Sequence, residues 1–208
     1  MSFRDIETAD DVAAYELRLQ NGYPERPFII DQIVSQLKTL NIPNPTVAEL
    51  CVGPGVLAEA LCHAFPQICY VGLDFMQPFL NYATKRVPAG IEATFVQADL
   101  TGEAWANRLR EAGRENGRYH AIVSLQSLHD VGDAQQTRII YQQTHRLLAN
   151  GGLFINADLI TKEGDEANAR PGRLTTQQHL ALLSQVGFSN STCQMERDGF
   201  GYYWAQRN

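Results

Sequence analysis

The chain has 208 residues, 44% of them hydrophobic, and a formal net charge of −6; that is enough for one full-sized core and, by expectation, a single domain over 1–208 with no separate substrate domain of comparable size. The acidic balance argues against a nucleic-acid partner, since the densest basic stretch (Arg108, Arg110, Arg114, Arg118) is interleaved with Glu103, Glu111 and Glu115, as on a solvated helix. The charged segment 1–11 (Arg4, Asp5, Glu7, Asp10, Asp11) lacks the apolar centre of a signal peptide, no apolar run is long enough for a bilayer, and Cys51, Cys62, Cys69 and Cys193 show no C-x-x-C spacing, which points to free thiols in a cytoplasmic protein.

Short β-like apolar runs alternate with longer helical ones, the signature of an α/β domain whose parallel strands are covered on both faces. The pattern predicts helices over 8–20 and 26–40, forming an N-terminal helical cap across 1–40. Strand 46–51, helix 56–65, strand 68–73, helix 76–86, strand 92–97, helix 103–115 and strand 119–125 follow. A helix over 133–149 is expected to close at Ala149-Asn150-Gly151-Gly152, read as a C-cap and turn, before strand 152–159. Residues 160–174 are polar and read as a loop or lid. Helix 175–186 then stops at Gly187, and the runs 188–196 and 200–206 flank Arg197-Asp198-Gly199, an Asp-Gly hairpin turn. Parallel strands cannot be joined by so short a link, so the last strand should be antiparallel.

The most informative stretch is Glu49-Leu50-Cys51-Val52-Gly53-Pro54-Gly55, where a strand ends in an acid and a glycine turn opens a helix. Gly53 and Gly55 allow close backbone approach to a ligand, and the helix start offers its amides. Gly53, Gly55 and Ala58 fit the dinucleotide pattern G-x-G-x-x-G/A, while Glu49 to Gly55 fit almost as well the loop that binds S-adenosylmethionine (SAM). Asp74, ending the next strand, is placed for two ribose hydroxyls under either reading. A short-chain dehydrogenase would need a Tyr-x-x-x-Lys pair; Tyr82 has Lys85 at the wrong spacing and Tyr141 has His145 four residues on.

In motif order the chain resembles the class I SAM-dependent methyltransferases, over roughly residues 25–208. The carrying stretches are Glu49 to Gly55, Cys69 to Asp74, Phe95-Val96-Gln97-Ala98-Asp99-Leu100, Ala121 to Asp130, Leu147 to Phe154, and Leu180 to Phe188. The resemblance implies a Rossmann-like three-layer sandwich: a mostly parallel seven-stranded sheet with an antiparallel C-terminal strand. It implies SAM as cofactor and S-adenosylhomocysteine as product. Glu49 would lie near the methionine amine, Gly53 and Gly55 under the cofactor, Asp74 at the ribose, and Asp99 at the adenine amino group. Cys51, where a first glycine is usual, Phe75, Met76, Leu100 and Ser124 complete the implied cofactor set. Asp74 and Asp99 also read as caps for the turns that follow them.

Catechol-type relatives bind Mg²⁺ through acids at the ends of strands four and five. Asp158 sits where one such acid would be, but Leu159 follows it and Gln126 or Ser127 stands at the tip of strand four. The implied site is therefore metal-free. Tyr23, Gln126, Asp130 and Asp158 are the expected acceptor-side residues. His129, ending the fourth motif, is the candidate general base for methyl transfer to a small molecule at oxygen, with a pKa naturally near the working range; a histidine that only holds its own turn is the alternative. Two other classes stay open: a SAM-binding module or partner-dependent subunit without its own activity, and an RNA or protein methyltransferase. A monomer or homodimer is expected.

Overall fold

The computed structural model describes residues 5–114 and 117–208. Arg4 and Glu115, named above, lie outside the described residues. The elements are α1 (Ala9–Gly22), α2 (Arg26–Lys38), β1 (Thr46–Leu50), α3 (Val56–Ala64), β2 (Cys69–Asp74), α4 (Gln77–Thr84), β3 (Glu92–Gln97), α5 (Trp105–Ala112), β4 (Tyr119–Leu125), α6 (Ala134–Leu147), β5 (Leu148–Leu159), α7 (Thr176–Gln185), β6 (Ser189–Arg197) and β7 (Phe200–Gln206). The seven strands make one sheet in the order β3-β2-β1-β4-β5-β7-β6. β7 pairs antiparallel with both β5 and β6, while the pairs among β1 to β5 are parallel.

Alternation along the strands splits the core between two faces of the sheet. Val47, Tyr70, Ala121, Val123 and Ile155 face one cluster with Ile29, Ile33, Leu57 and Leu61 of α2 and α3. Ala48, Val71, Ile122, Phe154 and Tyr203 face the other, with Leu109, Ile140, Tyr141 and Leu183 of α5, α6 and α7. This gives the expected three layers. α1 starts on a capping box between Thr8 and Asp11 and packs through Val12 against Phe79 of α4. Among the described residues, no helix is long and apolar enough to cross a membrane, and the four cysteines are free.

One joint differs from the sequence reading. α6 ends at Leu147 and Leu148 already belongs to β5, so Gly151 and Gly152 do not cap the helix. They lie in an irregularity of β5, where the register against β4 shifts between Tyr119 and Ala121. Gly151 takes φ +76°, and its N–H donates to the Arg207 carbonyl at 2.7 Å. The left-handed residue that the sequence called for is present, but it serves a bulge and not a cap.

Candidate active site

The C-terminal ends of β1 to β4, where open α/β sheets bind ligands, surround a cavity of about 340 Å³ that α1 and α2 cover with Tyr15, Leu19 and Arg26. From β1 the chain leaves through Cys51 at φ +58° and Gly53 at φ +52°. The Gly53 amide donates to Asp74 Oδ2 at 2.9 Å, and the Met76 amide to Asp74 Oδ1 at 3.0 Å. Asp74 thus ties the turn after β1 to the turn after β2 while its carboxylate lines the cavity. Burial pushes it up to about 6 against the pull of those amides. Gly55 has a packing task. A Cβ there would lie 2.7 Å from both Cα and Cβ of Ala83, so this glycine lets α3 approach α4 and is not on the cavity wall.

Glu49 is 2% exposed, and the Tyr70 hydroxyl donates to its Oε2 at 2.6 Å. Burial pushes its carboxyl up to about 8, with the Tyr70 hydrogen bond and the Arg26 charge pulling the other way. Arg26 itself is half-buried and donates to Gln126 Oε1; no carboxylate lies within ion-pair distance of it among the described residues. The cavity therefore holds, close together, a buried acid and a cation paired only with a neutral amide. That arrangement matches the ammonium and carboxylate of an amino acid. Asp99 holds the Thr101 amide and hydroxyl, each at 2.8 Å from Oδ1, and lines the cavity beside Phe75 and Leu100. Its capping and wall-lining positions coexist.

The end of the cavity below β4 is built differently. His129 lies in a single helical turn, Leu128–Asp130, and is 8% exposed. Its Nδ1 is 2.6 Å from Asp158 Oδ1, its Nε2 is 3.2 Å from Asp130 Oδ2, and its amide donates to Asp158 Oδ2 at 2.9 Å. Burial pulls the imidazole down, but hydrogen bonds to Asp130 and Asp158 outweigh it and raise it to about 9. Asp130 is lowered chiefly by its bond to His129 and, more weakly, by Arg170 and Arg173. Next door lies a buried group formed by the Tyr141 hydroxyl, His179 Nδ1 at 2.7 Å and Asn156 Nδ2 at 3.2 Å; burial holds His179 down at about 4, hence neutral.

Of the residues expected from the sequence, Glu49, Cys51, Gly53, Asp74, Phe75, Asp99, Leu100, Gln126 and Asp130 line the cavity. Met76 turns away to pack near Phe79, Tyr23 packs against the core under α2, Ser124 is fully buried and bonded to Ser127 Oγ at 2.8 Å, and Asp158 lies behind His129. His129 itself does not line the cavity. Both of its ring nitrogens lie against carboxylates, Nδ1 on Asp158 and Nε2 on Asp130. Asp130, the very next residue in this tight turn, reaches back to its ring through Oδ2. Tyr15 and Arg26, from the N-terminal helices, and Ser127, at the tip of strand four, also reach the cavity; Arg26 does so from the first turn of α2, directly before Pro27. Asp158 is taken up by His129, and among the described residues no group of three or more His, Cys, Asp or Glu is arranged to hold a metal ion.

A family model described as a methyltransferase domain matches residues 47–152. The fold is similar to that of human N-acetylserotonin methyltransferase solved in complex with SAM, at 12% identity and TM-score 0.69, covering 97% of this chain and 57% of that one. An O-methyltransferase family protein from Burkholderia thailandensis aligns at 17% identity and TM-score 0.69 over 97% and 63% of the two chains. Streptomyces venezuelae DesVI aligns at 16% identity and TM-score 0.69 over 98% and 100%. This chain thus spans about three-fifths of the length of the first two, and at such identities the likeness is one of fold. No curated protein matches the chain.

Proposed function

The chain belongs to the methyltransferase-domain family, class I and SAM-dependent, and from that premise we propose that it transfers the methyl group of SAM to a small-molecule acceptor without a metal ion. The observation that carries the reading is the placement of three acids at the tips of three consecutive strands around one cavity, with Arg26 opposite Glu49. Glu49 and Arg26 bind the amino-acid end of the cofactor, Asp74 its ribose, and Asp99 its adenine edge, with Phe75 and Leu100 against the ring. The bound cofactor supplies a methyl group already activated by a sulfonium charge. What remains for the protein is to align the acceptor, exclude water and handle its proton.

A small acceptor suits a cavity of this size. A wall with Glu49, Asp74, Asp99 and Asp130 against Arg26 alone is unsuited to a phosphate backbone. The four free thiols suit a reducing cytoplasm. An oxygen acceptor, expected from the sequence, draws support from a fold neighbour that is an O-methyltransferase family protein, while the two carboxylates on His129 give that residue no free ring nitrogen to serve as its base. Titration calorimetry with SAM, S-adenosylhomocysteine and NAD tests the reading. The first two should bind and NAD should not; tight NAD binding without SAM binding overturns it.

A further inference from the structure

We propose that Asp130, not His129, is the group that meets the acceptor, and that the acceptor presents an amine nitrogen. The inference rests on the methyltransferase reading above and goes beyond it to the acceptor's chemistry.

Geometry assigns the roles. A general base needs a lone pair within hydrogen-bond reach of the proton it takes. His129 has Nδ1 on Asp158 and Nε2 on Asp130, and its own peptide N–H is also on Asp158. Asp130 has one oxygen on His129, a side chain 37% exposed, and a place on the cavity wall beside Gln126, Ser127 and Val131. The other wall acids stand at the tips of β1, β2 and β3, where the cofactor reading uses them. Asp130 is the carboxylate left over, on the far side of the cavity. The turn that carries it is held in place from outside: a Cβ on Gly172, in the 160–174 segment, would collide with the carbonyl oxygens of His129 and Gly132.

Chemistry then narrows the acceptor. An ionised carboxylate beside an imidazolium is a weak base, unfit to take the proton of an alcohol, yet a good acceptor of an N–H hydrogen bond and a good counter-charge. With an amine, the nitrogen lone pair forms the N–C bond as the C–S bond breaks. The sulfonium charge passes to nitrogen, S-adenosylhomocysteine leaves as a neutral thioether, and the methylated ammonium loses its proton to water afterwards. No strong base is needed in the transfer itself, and the charge arriving on nitrogen falls next to Asp130. His129 is a positioning residue, fixing Asp130 through Nε2 while Asp158 anchors it from behind. Facing this group are Tyr15 from α1, Arg170 and Arg173 from the 160–174 segment, and Tyr141, His179 and Tyr203 behind Asp158.

The experiment starts from protein loaded with S-adenosylhomocysteine, whose binding is confirmed by calorimetry. Failure at that step is failure of the family-level reading, not of this one. Nitrogen-15 NMR of labelled histidine should show both ring nitrogens of His129 protonated at pH 7. A panel of primary amines, each paired with the alcohol of the same skeleton, is then tested for binding to the loaded protein and for uptake of radiolabelled methyl from SAM. Amines should bind and accept methyl where their alcohols do not. Asp130→Asn should weaken amine binding by about 10–100-fold, the range for a lost hydrogen bond to a charged group, with SAM affinity unchanged and Asp130→Glu recovering part of the loss. His129→Gln should lower turnover, and the wild-type profile should rise through the amine's own pKa with no step near that of a free histidine. A neutral His129 ring, methyl uptake by alcohols or by neither series, or wild-type amine binding in Asp130→Asn overturns the proposal.

Discussion

The two ends of the cavity are built by different means. At the end lined by the tips of β1, β2 and β3, two acids are tied to amides two residues on, Asp74 to Met76 and Asp99 to Thr101, while Asp74 also takes the Gly53 amide and Glu49 the Tyr70 hydroxyl of the adjacent strand. At the end beside β4 the arrangement depends on a contact between strand ends, His129 from the turn after β4 on Asp158 from the end of β5, 29 residues apart. Local turns survive a change of neighbour. A buried clamp between strands fails as a whole, because removing one member leaves a charge without its partner.

The comparison breaks first at Asp158. Asp158→Ala leaves the His129 imidazole buried beside a single carboxylate, and urea unfolding should show a loss of about 3–5 kcal/mol, the usual cost of stranding a buried charge. A loss below about 1 kcal/mol would show that the clamp adds little to the fold.

Next in size is the dependence of stability on pH. His129 titrates near 9 in the folded protein against an ordinary 6.5, so its contribution is full below pH 6.5 and disappears as pH rises through 9. That amounts to about 3 kcal/mol. Glu49, raised to about 8, acts in the same direction over a lower window: its protonated form is favoured by the fold, and stability falls as pH climbs from its ordinary 4.5 to 8. Unfolding curves at pH 6, 7, 8 and 9 should therefore decline throughout, and His129→Asn should keep only the part that ends near pH 8. A wild-type decline that ends near pH 8, as in the variant, would mean that the imidazole is neutral and the clamp is held by hydrogen bonds alone.

Asp74→Ala tests the cofactor end. Loss of its ribose contacts should weaken SAM binding by about 1.5–3 kcal/mol per strong hydrogen bond, measured by calorimetry. Because Asp74 also holds the Gly53 and Met76 amides, Asp74→Asn serves as the control that preserves side-chain shape. Unchanged affinity in a folded Asp74→Ala protein would reduce this residue to a cap.

The smallest effect belongs to Glu49. With its carboxyl at about 8 in the free protein, receiving an ammonium group at pH 7 should ionise it and release close to one proton. Calorimetry in buffers of different ionisation enthalpy reads that release directly. SAM affinity should then rise with pH by at most about 1.4 kcal/mol per pH unit up to pH 8 and level off above it. Glu49→Gln should bind more weakly and release none; proton release that persists in the variant would assign it to another group.

Most of the fold was legible because period and punctuation are local properties. The strand at 119–125 and the hairpin at Asp198-Gly199 came through unchanged, and β7 runs antiparallel as its short link demanded. The joint at Gly151 did not, since a left-handed glycine looks the same in sequence whether it caps a helix or kinks a strand. Only the pairing of β5 with β4 and with the chain near Arg207 separates the two. Gly55 carries a demand that its motif does not show: the backbone it makes room for is Ala83 of α4, 28 residues later.

The same division runs through the site. The place of Glu49, Asp74 and Asp99 at one cavity was legible in the sequence because each acid lies within two residues of a strand end, and a parallel sheet brings consecutive strand ends to one edge whatever the details of packing. The direction in which a side chain points was beyond sequence. Tyr23 and Arg26 are three residues apart, yet Tyr23 went to the core and Arg26 to the cavity. His129 and Asp130 are adjacent, yet the residue with the ordinary credentials of a base was clamped and its neighbour was left on the cavity wall. The order of elements along the chain and the motif spacing by themselves determined the fold and the cofactor class. Tertiary structure decided which of the residues at that edge is free to act, because a side chain's charge, burial and free lone pairs depend on neighbours that the chain brings in from far away in sequence.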